Sequence, residues 1–212
     1  MKLITTAALV LAATTSAWAD TTVTLDFEGA TGFVNPIADF YNGGTDSLGN
    51  SGANFGVSFT DAAVGLSNDA AGPYYLNAPT AGTVLVAMDQ TATMNVASGF
   101  TGQLTFWYSS AVNTLDAVNI YSGLNSTGTL LASASLFGNA SVGCTDLAFC
   151  RFDLTSVKFA GVAQSVNFGG NALFVAYDNI GLNISAVPEL DTYALLAAGL
   201  VAVAFVKRRQ QG

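Results

Sequence analysis

The sequence predicts an all-β domain, a two-sheet antiparallel β-sandwich of jelly-roll type. Three observations predict it. Short segments alternate apolar and polar side chains with the period of a strand. Clusters such as Asn42-Gly43-Gly44 and Gly169-Gly170-Asn171 punctuate them, and Gly and Asn tolerate the positive φ of turns. No segment between the two chain ends keeps an i, i+3, i+4 apolar pattern with good helix formers, and a Gly in a helix interior costs about 1 kcal/mol against Ala.

The first predicted strand, Thr22–Glu28, alternates cleanly. Val23, Leu25 and Phe27 face one side, and Thr24, Asp26 and Glu28 the other. Further runs follow at Phe55–Thr60, Thr83–Met88, Thr91–Val96, Gln103–Ser109, Ala117–Tyr121, Thr129–Ala134, Arg151–Leu154, Ser165–Phe168 and Leu173–Ile184. They are rich in Val, Phe, Tyr and Thr, which suit a pleated, half-buried surface. Many short strands with frequent turns indicate a sandwich. The polar stretch 41–54 reads as a long surface loop or a small binding edge, since long loops in compact domains are often functional.

The two ends read differently. Residues 1–19 carry Lys2, an apolar stretch from Leu3 to Ala13, and Ala17-Trp18-Ala19 with small residues at −3 and −1. This order predicts a secretory signal helix for the Sec translocon, cleaved after Ala19. Near the other end, an uncharged run of 15 residues from Thr192 to Val206 is followed at once by Lys207, Arg208 and Arg209. An apolar helix stopped by cations is a membrane segment with its basic end in the cytoplasm. Its length falls short of the roughly 20 residues of a permanent span, which suits a transient sorting tail inserted only until it is cut. The alternative is an anchor that stays in the membrane. The chain thus divides into a signal segment 1–19, a β-sandwich 20–186 and a tail 187–212.

Val187-Pro188-Glu189-Leu190-Asp191-Thr192-Tyr193-Ala194, the apolar run and Lys207-Arg208-Arg209 together resemble the PEP-CTERM sorting domain of Gram-negative bacteria. The resemblance covers 187–212. It implies an exported protein of the cell surface or extracellular matrix. An exosortase would process its tail at the sorting motif Val187, Pro188 and Glu189, in hosts that make exopolysaccharide or live in biofilms. Leu190 stands where the second Pro of the family triplet would be.

Composition narrows the function. At 212 residues, one domain with appendages is the expectation. Apolar residues make up 51% and charged residues 9%, the reverse of a disordered chain. The chain has 14 acidic and 6 basic residues, a formal net charge of −8. Phosphate backbones require clustered Lys and Arg, so nucleic acid is not an expected partner. Glu189 and Asp191 belong to the tail, and Lys2, Lys207, Arg208 and Arg209 to the two ends. Only Arg151 and Lys158 remain as bases against 12 acids, so the domain carries about −10. The absence of His removes the commonest general base.

Cys144 and Cys150, the only cysteines, predict a local disulfide in an oxidising compartment, worth about 2 kcal/mol for so short a loop. Two sulfurs do not make a zinc site. A pair of carboxylates is the only catalytic equipment left. Asp26 and Glu28 share one strand face about 7 Å apart, where solvation or a bound cation is the simpler role. The expectation is therefore a protein that is not an enzyme. A carboxylate-dependent glycan hydrolase or lyase is the alternative.

The opening Leu25-Asp26-Phe27-Glu28 and the closing Ala176-Tyr177-Asp178-Asn179-Ile180 resemble the first and last strands of carbohydrate-binding-module jelly rolls. In that family a structural calcium often lies between the chain ends. The resemblance implies Glu28 and Asp178 as candidate ligands, with Asp26 and Asn179 behind them. Sugar binding uses exposed aromatic faces. In Leu104-Thr105-Phe106-Trp107-Tyr108 alternate residues face opposite sides. If Phe106 faces the core, Trp107 is a candidate platform. Tyr74 and Tyr75, after Gly72-Pro73, are candidates on a loop, and plain packing is the alternative for all three.

Overall fold

The computed structural model describes residues 21–143 and 149–184. The signal segment with Ala17 and Ala19, Cys144, and the tail with Val187, Pro188, Glu189, Lys207, Arg208 and Arg209 lie outside the described residues, as do both expected terminal helices. Among the described residues no helix is long and apolar enough to cross a membrane.

Among the described residues, ten strands and one turn of 3-10 helix at Gly169–Asn171 make up the domain. The strands are β1 (Thr21–Leu25), β2 (Asn35–Pro36), β3 (Val57–Phe59), β4 (Ala63–Leu66), β5 (Val84–Ala87), β6 (Thr93–Ser110), β7 (Thr114–Tyr121), β8 (Leu130–Leu136), β9 (Asp153–Asn167) and β10 (Val175–Ile184). All named strand pairings are antiparallel, as the alternating pattern predicts. The division into two sheets is less sharp than predicted. Hydrogen bonds run along one path, β2-β4-β5-β10-β6-β9-β7-β8, with β1 on β10 and β3 on β6.

The cause lies in two long strands. The separate runs Thr91–Val96 and Gln103–Ser109 fuse into β6, and Arg151–Leu154 and Ser165–Phe168 fuse into β9. Each bends at glycines of positive φ, Gly99 and Gly102 in β6 and Gly161 in β9, where the β6–β9 register also shifts. Such bulges bend a strand without ending it. Gly99 is required twice over, because a Cβ there would also strike Val162 Cγ1.

The sheet wraps around a principal core that takes residues from β1, β3, β5, β6, β7, β8, β9 and β10, among them Leu25, Phe59, Phe100, Phe106, Ile120 and Val166. Phe106, Phe168 and Tyr177 meet edge to face at 4.9–6.5 Å, each such pair worth about 0.5–1.5 kcal/mol beyond its area. A second cluster covers the opposite face of β4, β5 and β10. Val64, Val84, Val86 and Ala176 pack there under Tyr75, Phe149 and Phe152 from two loops. Burial on both faces explains why β4 and β5 lack alternation, every residue of each being buried.

Candidate functional site

The first and last described strands are neighbours. β1 pairs with β10 from Thr21↔Ile184 to Leu25↔Ile180. The strand then stops, because Phe27 takes a left-handed φ of 59° and donates its N–H to the Tyr41 hydroxyl at 2.7 Å. Asp26 and Glu28 therefore part company, in contrast to the shared face expected from alternation. Asp26 Oδ1 accepts from the Tyr41 hydroxyl at 3.2 Å and from Glu28 N at 3.3 Å. Glu28 Oε1 instead accepts from Gly82 N at 2.8 Å.

Asp178 is fully buried. Its carboxylate accepts from Thr80 N at 3.0 Å, from Asn179 N at 2.7 Å and from Thr80 Oγ1 at 2.9–3.0 Å. Burial pushes the group up to about 6, against the opposing bonds from Thr80 and Asn179 and with help from the charge of Glu28. Thr80 Oγ1 also lies 3.2 Å from the carbonyl of Asp26. One hydroxyl proton thus faces three acceptors and can satisfy only one at a time. Glu28, Asp178 and the Asp26 carbonyl are the oxygen acceptors that the 80–82 segment meets at this edge, and oxygen is the ligand type a hard cation takes. The Asp26 carboxylate is engaged elsewhere, and Asn179, held at φ 47°, contributes its backbone N–H to Asp178. Among the described residues no group of three or more His, Cys, Asp or Glu is placed to hold a metal. A carboxyl with no exposed surface also cannot reach a glycosidic oxygen, so this pair does not have the open geometry of a glycosidase.

The aromatic candidates separate. Tyr75 is a core residue at 1% exposure, its hydroxyl pushed up to about 12 by burial and by the charges of Glu28 and Asp178 against an Asn68 bond. Its ring offers no stacking face. Phe106 faces the principal core, so Trp107 does lie on the other side, but there it is half-buried against the second cluster. Tyr74, like Trp107, is half-buried and packs against the second cluster. Its ring lies 5.0 Å from that of Phe33, tilted by 41°, and Phe33 is 57% exposed.

Two loops make this pair. Gly32 N donates to Ser67 Oγ at 3.1 Å, and Ser67 N to Gly32 O at 3.1 Å, which fastens the Phe33 loop to the end of β4. Asn68 then sets the Tyr74 loop, accepting from Tyr74 N at 2.7 Å and donating to Tyr75 O at 3.0 Å. The Tyr74 hydroxyl donates to Asp69 Oδ1 at 3.1 Å. Partial burial and the Asp69 carboxylate push that hydroxyl above its ordinary range. Leu48, 65% exposed, lies over Gly32, the residue before Phe33. Phe33, Leu48 and Asp69 were not legible as site residues, since nothing in their local sequence brings them to Tyr74.

The stretch 41–54, read as a surface loop or a binding edge, is stapled around Asp46. Burial pushes that carboxyl up, but bonds from Asn50, Asn35 and Leu48 outweigh it and hold it below the usual range. The loop's Leu48 Cδ1 reaches over Gly32. Cys150 is buried, and among the described residues no cysteine is free. Its expected partner Cys144 lies outside them.

No family model and no curated protein matches the sequence. Solved structures do. The module CsCBM6-3 of Clostridium stercorarium, in complex with cellobiose, is 16% identical over 72% of this chain and 95% of its own, with a TM-score of 0.38. The K2 cleaved adhesin domain of Lys-gingipain is 14% identical, covering 77% of this chain and 100% of its own at a TM-score of 0.47. The second N-terminal cellulose-binding domain of Cellulomonas fimi β-1,4-glucanase C is 17% identical over 78% and 100%, at 0.28.

Proposed function

We propose that this is an exported, non-catalytic surface or matrix protein whose β-domain binds glycan at the Phe33–Tyr74 platform. The carrying observation is the tilted aromatic pair, an exposed Phe33 on a half-buried Tyr74, with a carboxylate at its rim. Sugar rings present apolar C–H faces that stack on aromatic rings, while a flanking Asp accepts from hydroxyls. A domain charged at about −10 would bind neutral polysaccharide more readily than anionic polysaccharide. A glycan array tests this. Wild type should retain a set of neutral glycans without turnover, and Phe33→Ala and Tyr74→Ala should each lose them. Turnover of any glycan would favour the hydrolase or lyase reading instead.

The two ends support export and sorting. Lys2, the apolar stretch and Ala17-Trp18-Ala19 have the order of a Sec signal, and the Val187-Pro188-Glu189 tail with its basic stop has that of an exosortase substrate. The intact mass of the protein recovered outside the cell tests both. Loss of residues 1–19 and of the tail beyond about Pro188 is expected. A species still ending at Gly212 in the inner membrane would replace this reading with that of a permanent anchor.

A structural calcium between the chain ends belongs to the same proposal. Glu28, Asp178 and the Asp26 carbonyl would hold it, and it would supply charge compensation for the buried carboxylate. Calcium should then raise the melting temperature and chelator should lower it. Equal melting in both would exclude a cation at this position.

A further inference from the structure

Thr21 is in register with Ile184, so the segments before and after the domain leave from adjacent strands about 5 Å apart. Residues 185–191 separate Ile184 from the uncharged run beginning at Thr192, a reach of at most about 25 Å. The same reach separates Thr21 from Ala13 at the end of the other apolar stretch. Both apolar segments are therefore tethered closely to one end of the domain.

That end is built from paired strands. Ile184 is in register with Phe100 and Phe100 with Ala163, while Asn183 is in register with Thr101 and Thr101 with Val162. The glycine bends of β6 and β9 sit beside the chain ends. Although the domain is strongly acidic, segments 21–24, 95–105, 155–166 and 181–184 contain no Asp or Glu, and Lys158 is their only charge. Lys158 is exposed, and among the described residues it makes no ion pair. Beside it Ala160 and Gly161 are exposed, and Val162 is 53% exposed. Asp20, which precedes Thr21 in sequence, lies outside the described residues.

We propose that this end, centred on Lys158 and Val162, is a docking face for an anionic lipid surface while the apolar tail is inserted. The proposal rests on the reading of the tail as a membrane segment. Anionic headgroups in the leaflet that faces the exported domain would repel its acid-rich remainder and attract a lysine held within a Debye length. The strand segments at the end the tether holds nearest carry no Asp or Glu. In the membrane-held precursor the domain thus stands upright on this face, and the Phe33–Tyr74 loops belong to other elements.

The test uses the chain with its tail retained, reconstituted in phosphatidylethanolamine–phosphatidylglycerol vesicles and compared with the same chain in nonionic detergent. Hydrogen exchange is read by mass spectrometry. Amides of 97–103 and 158–164 should exchange more slowly on vesicles, and those of 67–76 should not change. Lys158→Gln should cause roughly a fivefold loss of that protection. Chains that float with the vesicles but exchange equally at this end overturn the docking face alone. Chains that do not float overturn the tail reading and this proposal with it. Protection that follows protein concentration, not lipid, assigns the face to a second copy and overturns the lipid partner.

Discussion

Replacing Asp178 by Asn separates the cost of burying a charge from the value of the bonds that hold it. In metal-free buffer the carboxyl ionises near pH 6 in the fold and near 3.9 in an unfolded chain. The protonated form is the one the fold favours. Its contribution is therefore complete below about pH 3.9 and is lost as pH rises through about 6, a change of about 3 kcal/mol. The amide introduced by Asp178→Asn carries no charge and so does not show this loss. It would also weaken the acceptor geometry facing Thr80 Oγ1, a cost of about 1 kcal/mol at every pH. The variant should thus be about 1 kcal/mol less stable than wild type at pH 4 and about 2 kcal/mol more stable at pH 7.5. Urea unfolding at both pH values, with matched slopes, reads the difference. A variant destabilised equally at both would refute the claim that Asp178 is held at an electrostatic cost. Added calcium should flatten the wild-type pH dependence and leave the variant unchanged.

Other perturbations follow from the same packing. Gly99→Ala meets both the left-handed backbone and Val162, so it should destabilise by about 2–3 kcal/mol in a urea melt. Reduction should cost about 2 kcal/mol if Cys144 and Cys150 close their short loop, and an unchanged melt in reductant would argue against that bond. Tyr74→Phe removes only the hydroxyl on Asp69 and should keep most glycan affinity, whereas Tyr74→Ala should weaken it by about tenfold or more, as the loss of an aromatic contact surface implies. Titration calorimetry distinguishes the two variants.

Strands that bury one face were legible in the sequence. Val23, Leu25 and the β6 residues Leu104, Phe106 and Tyr108 alternate because their other side meets solvent or loops. β4 was missed because Ala63–Leu66 is buried on both faces, which erases the period on which a strand is recognised. The fusion of separate runs into β6 and β9 was hidden by Gly99, Gly102 and Gly161. Glycine usually marks a turn, and here it marks a bend within continuous pairing. The nearness of the first and last described strands, β1 and β10, could be anticipated from the resemblance. The parting of Asp26 from Glu28 could not, because it depends on Tyr41, 15 residues from Asp26. The platform was half legible. Tyr74 follows a Gly-Pro turn, but its partner Phe33 is brought to it only by the Gly32–Ser67 bonds.

Glycan recognition at the loop platform is tested most directly by backbone NMR of the domain during titration with a neutral polysaccharide. The account predicts shift changes confined to residues 31–34, 47–49 and 67–76, saturating with ligand and absent in Phe33→Ala. Saturable changes centred on Trp107, or on any surface apart from those three segments, would contradict it.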